Sequence, residues 1–189
     1  ETLGYECISR EILVEAGQLF NVSEKKLIRS LNEAPNILER MVHGKERYLE
    51  YIKVSLLGYA RKGNVVYHGH AGHLLLTEIP QILKVRILAE KDDRISLVQK
   101  RKNLNREAAA EVIENEDKNR IYWTRYLYKE DVNDPKLYDI VINIGNLTID
   151  NACEIICLAA KSDAYLVTDE SKQALDDAAI TSYIDAALQ

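Results

Sequence analysis

The segment VVYHGHAGHLLL, residues 65–76, sets three of the chain's four histidines close together: His68, His70 and His73, around Gly69 and Gly72. Imidazoles so placed are the donor set of a catalytic zinc, which takes three or four ligands in tetrahedral reach. His68 and His70 share a face only if an extended strand runs on through Gly69, and His73 falls in the helix that follows. No acid or cysteine lies nearby in sequence to complete a set. Two other readings stay open. One is a glycine turn that carries part-exposed imidazoles. The other is a ligand loop, where backbone N–H groups and an imidazole meet an anion at a helix N-terminus.

A second group is cationic. Lys100-Arg101-Lys102 and Arg106 are followed by Asp117, Arg120 and Arg125. Asp117 and Arg120 stand three apart on a helix and so face the same way. Arg101 and Arg120 come from the two limbs of a helical hairpin broken at Asn103. Closed over a pocket, such a hairpin gathers the positioned cations that phosphoryl transfer requires. The plainer alternative is a charged helix face with weak surface pairs. Tyr122, Trp123, Tyr126 and Tyr128 crowd the same helix, as base-stacking rings or as core and interface anchors. Near the start, Ser9-Arg10-Glu11 follows a strand. Arg10 there suits a phosphate, or Ser9 simply caps a helix. No nucleophile triad is readable, and no G-x-x-x-x-G-K-[ST] phosphate loop occurs in these residues.

The elements that must position these groups read as follows. Tyr5 to Ile8 is a short strand, and Glu11 to Phe20 is a helix with Ile12, Leu13, Ala16 and Leu19 at helical spacing. Ser23 caps a second helix, which Pro35 breaks. Asn36 and Glu39 form a capping box for a long helix towards Tyr59, closed by Gly63-Asn64. VVYHG is a buried strand. A short helix and Pro80 follow the histidines, then a strand at 82–89. Asp92 and Asp93 open the next helix, where acids suit the dipole. Arg106 to Tyr128 is one long helix, Asp134-Pro135 a turn, and Tyr138 to Ile144 a strand. Thr148 caps a helix through Leu158.

Apolar strands alternating with helices mean an α/β protein with a mainly parallel sheet. Ligands in such sheets bind at the carboxyl ends of strands, where the histidine loop begins. Residues 1–160 read as one α/β domain. Residues 161–189 read as a polar linker and a helical tail, which packs back, swaps onto a partner or begins another domain. The tail and the long helix after Asn36 are candidate surfaces for a homo-oligomer.

Composition narrows the function classes. The formal charge is -5, and 29% of residues are charged. That argues against a general nucleic-acid coat, which needs a basic surface to displace counterions. The cysteines are Cys7, Cys153 and Cys157; the last two lie one helical turn apart in an apolar run and read as buried thiols, and a reducing, cytoplasmic setting fits. No stretch is long and apolar enough for a membrane span.

Taken together, these segments resemble the cytidylate kinase-like family from about Leu3 to about Ala159. LGYECISREIL resembles its "LGY…DREIL" segment, and VVYHGHAGHLLL resembles its strand and "GRGA…IL" turn. VRILAEKDDRISLVQKR resembles its strand and helix leading to the lid. IENEDKNRIYWTRYLY resembles "DkeR…yY", and DPKLYDIVINIGNLTIDNACEII resembles "DPxLYDLVINT…L". The resemblance implies a P-loop kinase fold with a helical lid hairpin, ATP as phosphoryl donor with Mg²⁺, and a nucleoside monophosphate as acceptor. It implies that Arg101 and Arg120 act on phosphates and that Asp117 positions Arg120. It implies that Arg10, Ser9, His68 and His70 lie near the acceptor, and that the phosphate loop precedes Glu1. Ser9 stands where the family has an acid, and His70 where it often has an arginine. Those departures keep a second expectation in play, a degenerate kinase fold that binds a nucleotide or partner without turnover. A histidine-loop metal protein is the third.

Overall fold

A computed structural model describes residues 2–32, 44–69 and 72–188. The capping box expected at Asn36 and Glu39 lies outside them, as does His70. The chain forms two compact units, 1–82 together with 163–189, and 83–162.

In the first unit, β1 (Glu6–Ile8) leads into α1 (Glu11–Leu19), whose Ile12, Leu13 and Ala16 are buried on one stripe. Asn21 then turns the chain with φ 51°, a left-handed conformation that asparagine tolerates. α2 (Glu24–Asn32) starts behind Ser23, whose carbonyl accepts from the Lys26 N–H at 2.9 Å. α3 (Gly44–Lys62) buries Leu49, Ile52, Leu56 and Leu57 at helical spacing. Gly63, at φ +72°, ends it. β2 (Val65–Tyr67) pairs with β1 in parallel, Ile8 opposite Tyr67. The strand was expected to be buried, yet Val66 is 44% exposed. Among the described residues β1 is its one neighbouring strand. α4 (Gly72–Leu75) follows.

The helix at the far end of the chain, α8 (Asp169–Leu188), packs on α3 within this unit. Ser182, almost fully buried, donates to Glu50 at 3.1 Å, and Arg61 pairs with Asp176 at 2.6 Å. Its inward face is Ser171, Leu175, Ser182 and Ala186. Three of the four, Ser171, Ser182 and Ala186, are small and allow the close approach of two helices.

The second unit begins with β3 (Val85–Ala89), which pairs in parallel with β4 (Ile140–Ile144), Val85 opposite Ile140. Between them lie α5 (Lys91–Lys102) and α6 (Arg106–Tyr128). The break between these helices is built from asparagines. Asn103 ends α5 at φ 52°, and the Asn105 side chain accepts from the Ala108 N–H at 2.8 Å. Ile95, Ala109 and Ile113 bury against Val98, Leu104 and Ala110 and hold the helix pair together. Asp134 caps the 3-10 turn Pro135–Leu137. Thr148 and Asn151 form a capping box at the start of α7 (Ile149–Ala160).

The architecture is thus α/β with short parallel strands. Among the described residues these strands pair two by two. The cysteines correct an expectation. Cys153, expected to be buried with Cys157, is exposed, and Cys157 is half-buried. α7 turns Ala152 inward instead, so its apolar run carries the thiols outward.

Candidate functional site: a carboxylate between arginines

Asp117 lies on α6 and receives both terminal nitrogens of Arg94 from α5, at 2.7 and 2.8 Å. This is the bidentate fork that guanidinium and carboxylate share by shape. Arg120, one turn along α6, stands 3.6 Å from the same carboxylate. The hydrogen bonds from Arg94 hold the Asp117 carboxyl below its ordinary value. Partial burial opposes them, and the charges of Arg94, Arg120 and Lys91 add to them. Asp117 in turn raises the Arg94 guanidinium. Lys91 pairs with Glu114 at 2.7 Å, one turn back on both helices.

Arg120 also faces a second group. Burial raises the Tyr138 hydroxyl, and the charges of Arg86 and Arg120 oppose that shift. Tyr138 donates to the Val132 carbonyl at 3.0 Å, and Arg86 lies over its ring, 5.4 Å from the centroid. Arg86 also donates to Val132 and, at 2.8 Å, to Asn133. Arg86 and Arg94 are therefore occupied by internal acceptors. Arg120 is 45% exposed, and its contact to Asp117 is the longer one. Of these three guanidiniums it is the most loosely held.

Of the expected residues in this unit, Asp117 and Arg120 meet, and Asp117 takes Arg94 as its closer partner. Arg101 is exposed in the last turn of α5. No ion pair among the described residues joins it to Asp117. Arg94, Arg86 and Tyr138 were not singled out from the sequence. A signal for Arg94 existed: Lys91 and Arg94 repeat the spacing of Glu114 and Asp117, so the two helices carry complementary charge at one offset.

In the first unit, Ser9, Arg10, Glu11 and His68 gather at the carboxyl ends of β1 and β2. The His68 N–H donates to the Ile8 carbonyl at 3.0 Å, which fixes the pair's end. The Ser9 N–H donates to the Glu11 carboxylate at 2.7 Å. That bond lowers the Glu11 carboxyl, with help from its own N–H and the charge of His68. Arg10 donates to Glu24 on α2, which raises the arginine and lowers the acid. Its charge is thereby shared with Glu24, a residue not singled out before.

The glycines between the histidines have a local cause. The Tyr67 ring lies against Gly69 and Gly72, and burial pushes its hydroxyl up to about 12. A Cβ at Gly69 would stand 2.3 Å from the Tyr67 hydroxyl oxygen, and one at Gly72 would stand 2.6 Å from a carbon on the other ring edge. His68 is exposed and His73 half-buried, and His70 lies outside the described residues. Among the described residues no group of three histidine, cysteine or acidic side chains is arranged for a metal ion. No helix among them is long and apolar enough to cross a membrane.

Parallel strands joined by helices, with a helix pair that presents an exposed guanidinium beside a clamped carboxylate, define an α/β protein. The sequence profile of the cytidylate kinase-like family matches residues 1–146, and the chain belongs to that family. Among solved structures, the crystal structure of an uncharacterized protein from Eubacterium ventriosum ATCC 27560 has a TM-score of 0.63 to this chain. The likeness covers 84% of this chain and 85% of that one at 18% identity, so it is a likeness of fold. No curated protein matches.

Proposed function

We propose that the protein binds a nucleotide through its phosphates and transfers the γ-phosphoryl group of ATP to a nucleoside monophosphate or another small acceptor. Arg120 carries the reading. It is half-exposed, it is held by Asp117, and Asp117's closer partner is Arg94. Arg94 offsets the Asp117 charge, so the charge of Arg120 is left for a phosphate oxygen. Guanidinium groups are suited to that task, because charge spreads over the transferring oxygens. Family membership supports the same reaction.

ATP would supply the phosphoryl group, with Mg²⁺ drawing charge from its oxygens. Mg²⁺ keeps several waters and takes substrate phosphates as ligands. It needs no protein cage, and none is gathered among the described residues. Arg101 joins Arg120 if the helix pair closes over bound phosphates. Ser9, Arg10, His68 and His70 are the acceptor-side candidates.

A second reading, nucleotide binding without transfer, rests on Arg10. Glu24 engages it, and Ser9 supplies a hydroxyl where the family has an acid. Calorimetry with ATP and with CMP, run beside a coupled assay of ADP release, separates the two. Turnover supports the kinase reading. Binding without turnover against every nucleoside monophosphate supports the second, and failure to bind any nucleotide overturns both. Arg120→Gln should weaken nucleotide binding at least about tenfold, as loss of a charge-assisted contact worth about 1.5–3 kcal/mol requires.

A further inference from the structure

The carboxyl end of β1 offers an anion two groups, and a carboxylate of this chain fills each of them. The first is the start of α1, where backbone N–H groups lack helical partners. The Glu11 carboxylate sits there, accepting the Ser9 N–H at 2.7 Å and its own N–H. The second is the Arg10 guanidinium, 70% exposed, whose Nε–H donates to Glu24 at the start of α2. Both carboxyls are held below their ordinary value by these bonds, so both carry charge at neutral pH.

The two carboxylates are not equally fixed. Glu11 is bonded to backbone next to itself. Glu24 reaches across from another helix, and it has somewhere else to go. It lies in the first turn of α2, where the helix dipole favours an acid with or without Arg10. Arg10 has no such alternative. It stands at the N-cap of α1, so its charge faces the positive end of that helix. A phosphate would meet the guanidinium by the same fork as a carboxylate, with more charge. The backbone need not move for the exchange. Leu27 anchors α2 in the core, and the Val22 N–H donates to the Gly17 carbonyl at 3.0 Å, so rotation of the Glu24 side chain is enough.

We infer that Glu24 is an internal competitor for the acceptor's phosphate: it covers Arg10 in the empty protein, and the acceptor binds by taking Arg10 from it. The contact is autoinhibitory, and it lowers acceptor affinity by the fraction of molecules in which Arg10 is covered. It also favours acceptors that already carry a phosphate, since a neutral nucleoside has nothing with which to displace a carboxylate. The inference rests on the reading of Arg10 as an acceptor-side residue.

The test is calorimetry with a panel of nucleoside monophosphates and with ATP, on the parent, Glu24→Gln, Arg10→Gln and the double variant, each checked for folding by circular dichroism. Glu24→Gln should tighten the monophosphate by about two- to fivefold, the range that an exposed ion pair can withhold. ATP affinity should not change. In the Arg10→Gln background the Glu24 change should have no effect on the monophosphate, because the competition acts through Arg10. Equal monophosphate affinity in the parent and Glu24→Gln would overturn the inference. So would tightening of the same size with and without Arg10, or for ATP as well, since Glu24 would then act only through its general charge. Those results leave nucleotide binding by the parent intact and strike the role of Glu24 alone. Failure of the underlying reading looks different, and overturns both: no variant binds a monophosphate, or Arg10→Gln binds it as tightly as the parent.

Discussion

The Tyr67 ring is held between two glycines, and that makes Gly72→Ala the sharpest probe of the histidine segment. An added Cβ would meet two ring carbons at 2.6 and 2.7 Å, well short of the 3.4 Å where ordinary contact begins. The ring cannot relieve this by sliding away. Its other edge already lies where a Cβ on Gly69 would be 2.5 Å from one ring carbon and 2.8 Å from another. Overpacking of this kind costs about 1–3 kcal/mol. Helix propensity returns up to about 1 kcal/mol, since Gly72 opens α4. The net loss is then about 1–2 kcal/mol, a fall in Tm of about 2–8 °C for a chain of this size. Thermal unfolding followed at 222 nm, with near-ultraviolet tyrosine dichroism, measures it. In a Tyr67→Ala background the same glycine change should cost almost nothing. Gly72→Ala that is as stable as the parent, or equally costly in both backgrounds, would refute the placement of the ring.

Three further outcomes follow from the second unit. Asn103→Gly should raise stability by a few tenths to about 1 kcal/mol in thermal unfolding, because glycine enters the left-handed φ of 52° without a Cβ penalty. Thr148→Ala should cost about 1 kcal/mol in urea titration, since it opens the capping box of α7. Asp117→Asn should flatten the acid limb of the stability profile. The folded carboxyl lies below its unfolded value of about 3.9. Its contribution is therefore complete above that pH and is lost as pH falls through the lower folded value. The half-exposed pair is worth about 1 kcal/mol at most. Parent and variant should differ by that at pH 7 and converge in strong acid.

Helix limits were legible in the sequence wherever a side chain sets them. Arg106 to Tyr128 stands as read, because Asn105 caps its start through a bond that any asparagine before a helix can make. Thr148 is the same case. Strand limits were less so. β4 begins at Ile140 rather than Tyr138, because Tyr138 still belongs to the turn of Pro135 and Asp139 is bonded at Lys84. The site was legible only in part. Spacing on one helix pairs Asp117 with Arg120, and the two do meet. Yet a partner three residues along the same helix reaches only 3.6 Å, while Arg94 approaches from a second helix and closes a bidentate fork. Tertiary geometry decides that competition, and a single strand of sequence does not contain it. Arg10 is the same lesson, since Glu24 belongs to another helix.

The two polar groups therefore differ in what they can offer a ligand. At the ends of β1 and β2, Arg10 is engaged by Glu24, the Ser9 N–H by Glu11, and the glycines by the bulk of Tyr67. The conspicuous histidine motif is shaped in the first place by a tyrosine that needs room. At the α5–α6 pair the order is reversed. One carboxylate faces two guanidiniums, and the pair that closes tightly is the one between helices. The excess positive charge then falls on Arg120, the more exposed of the two. The Arg120 guanidinium is held only by the longer contact to Asp117, whereas Arg10 is hydrogen-bonded by Glu24.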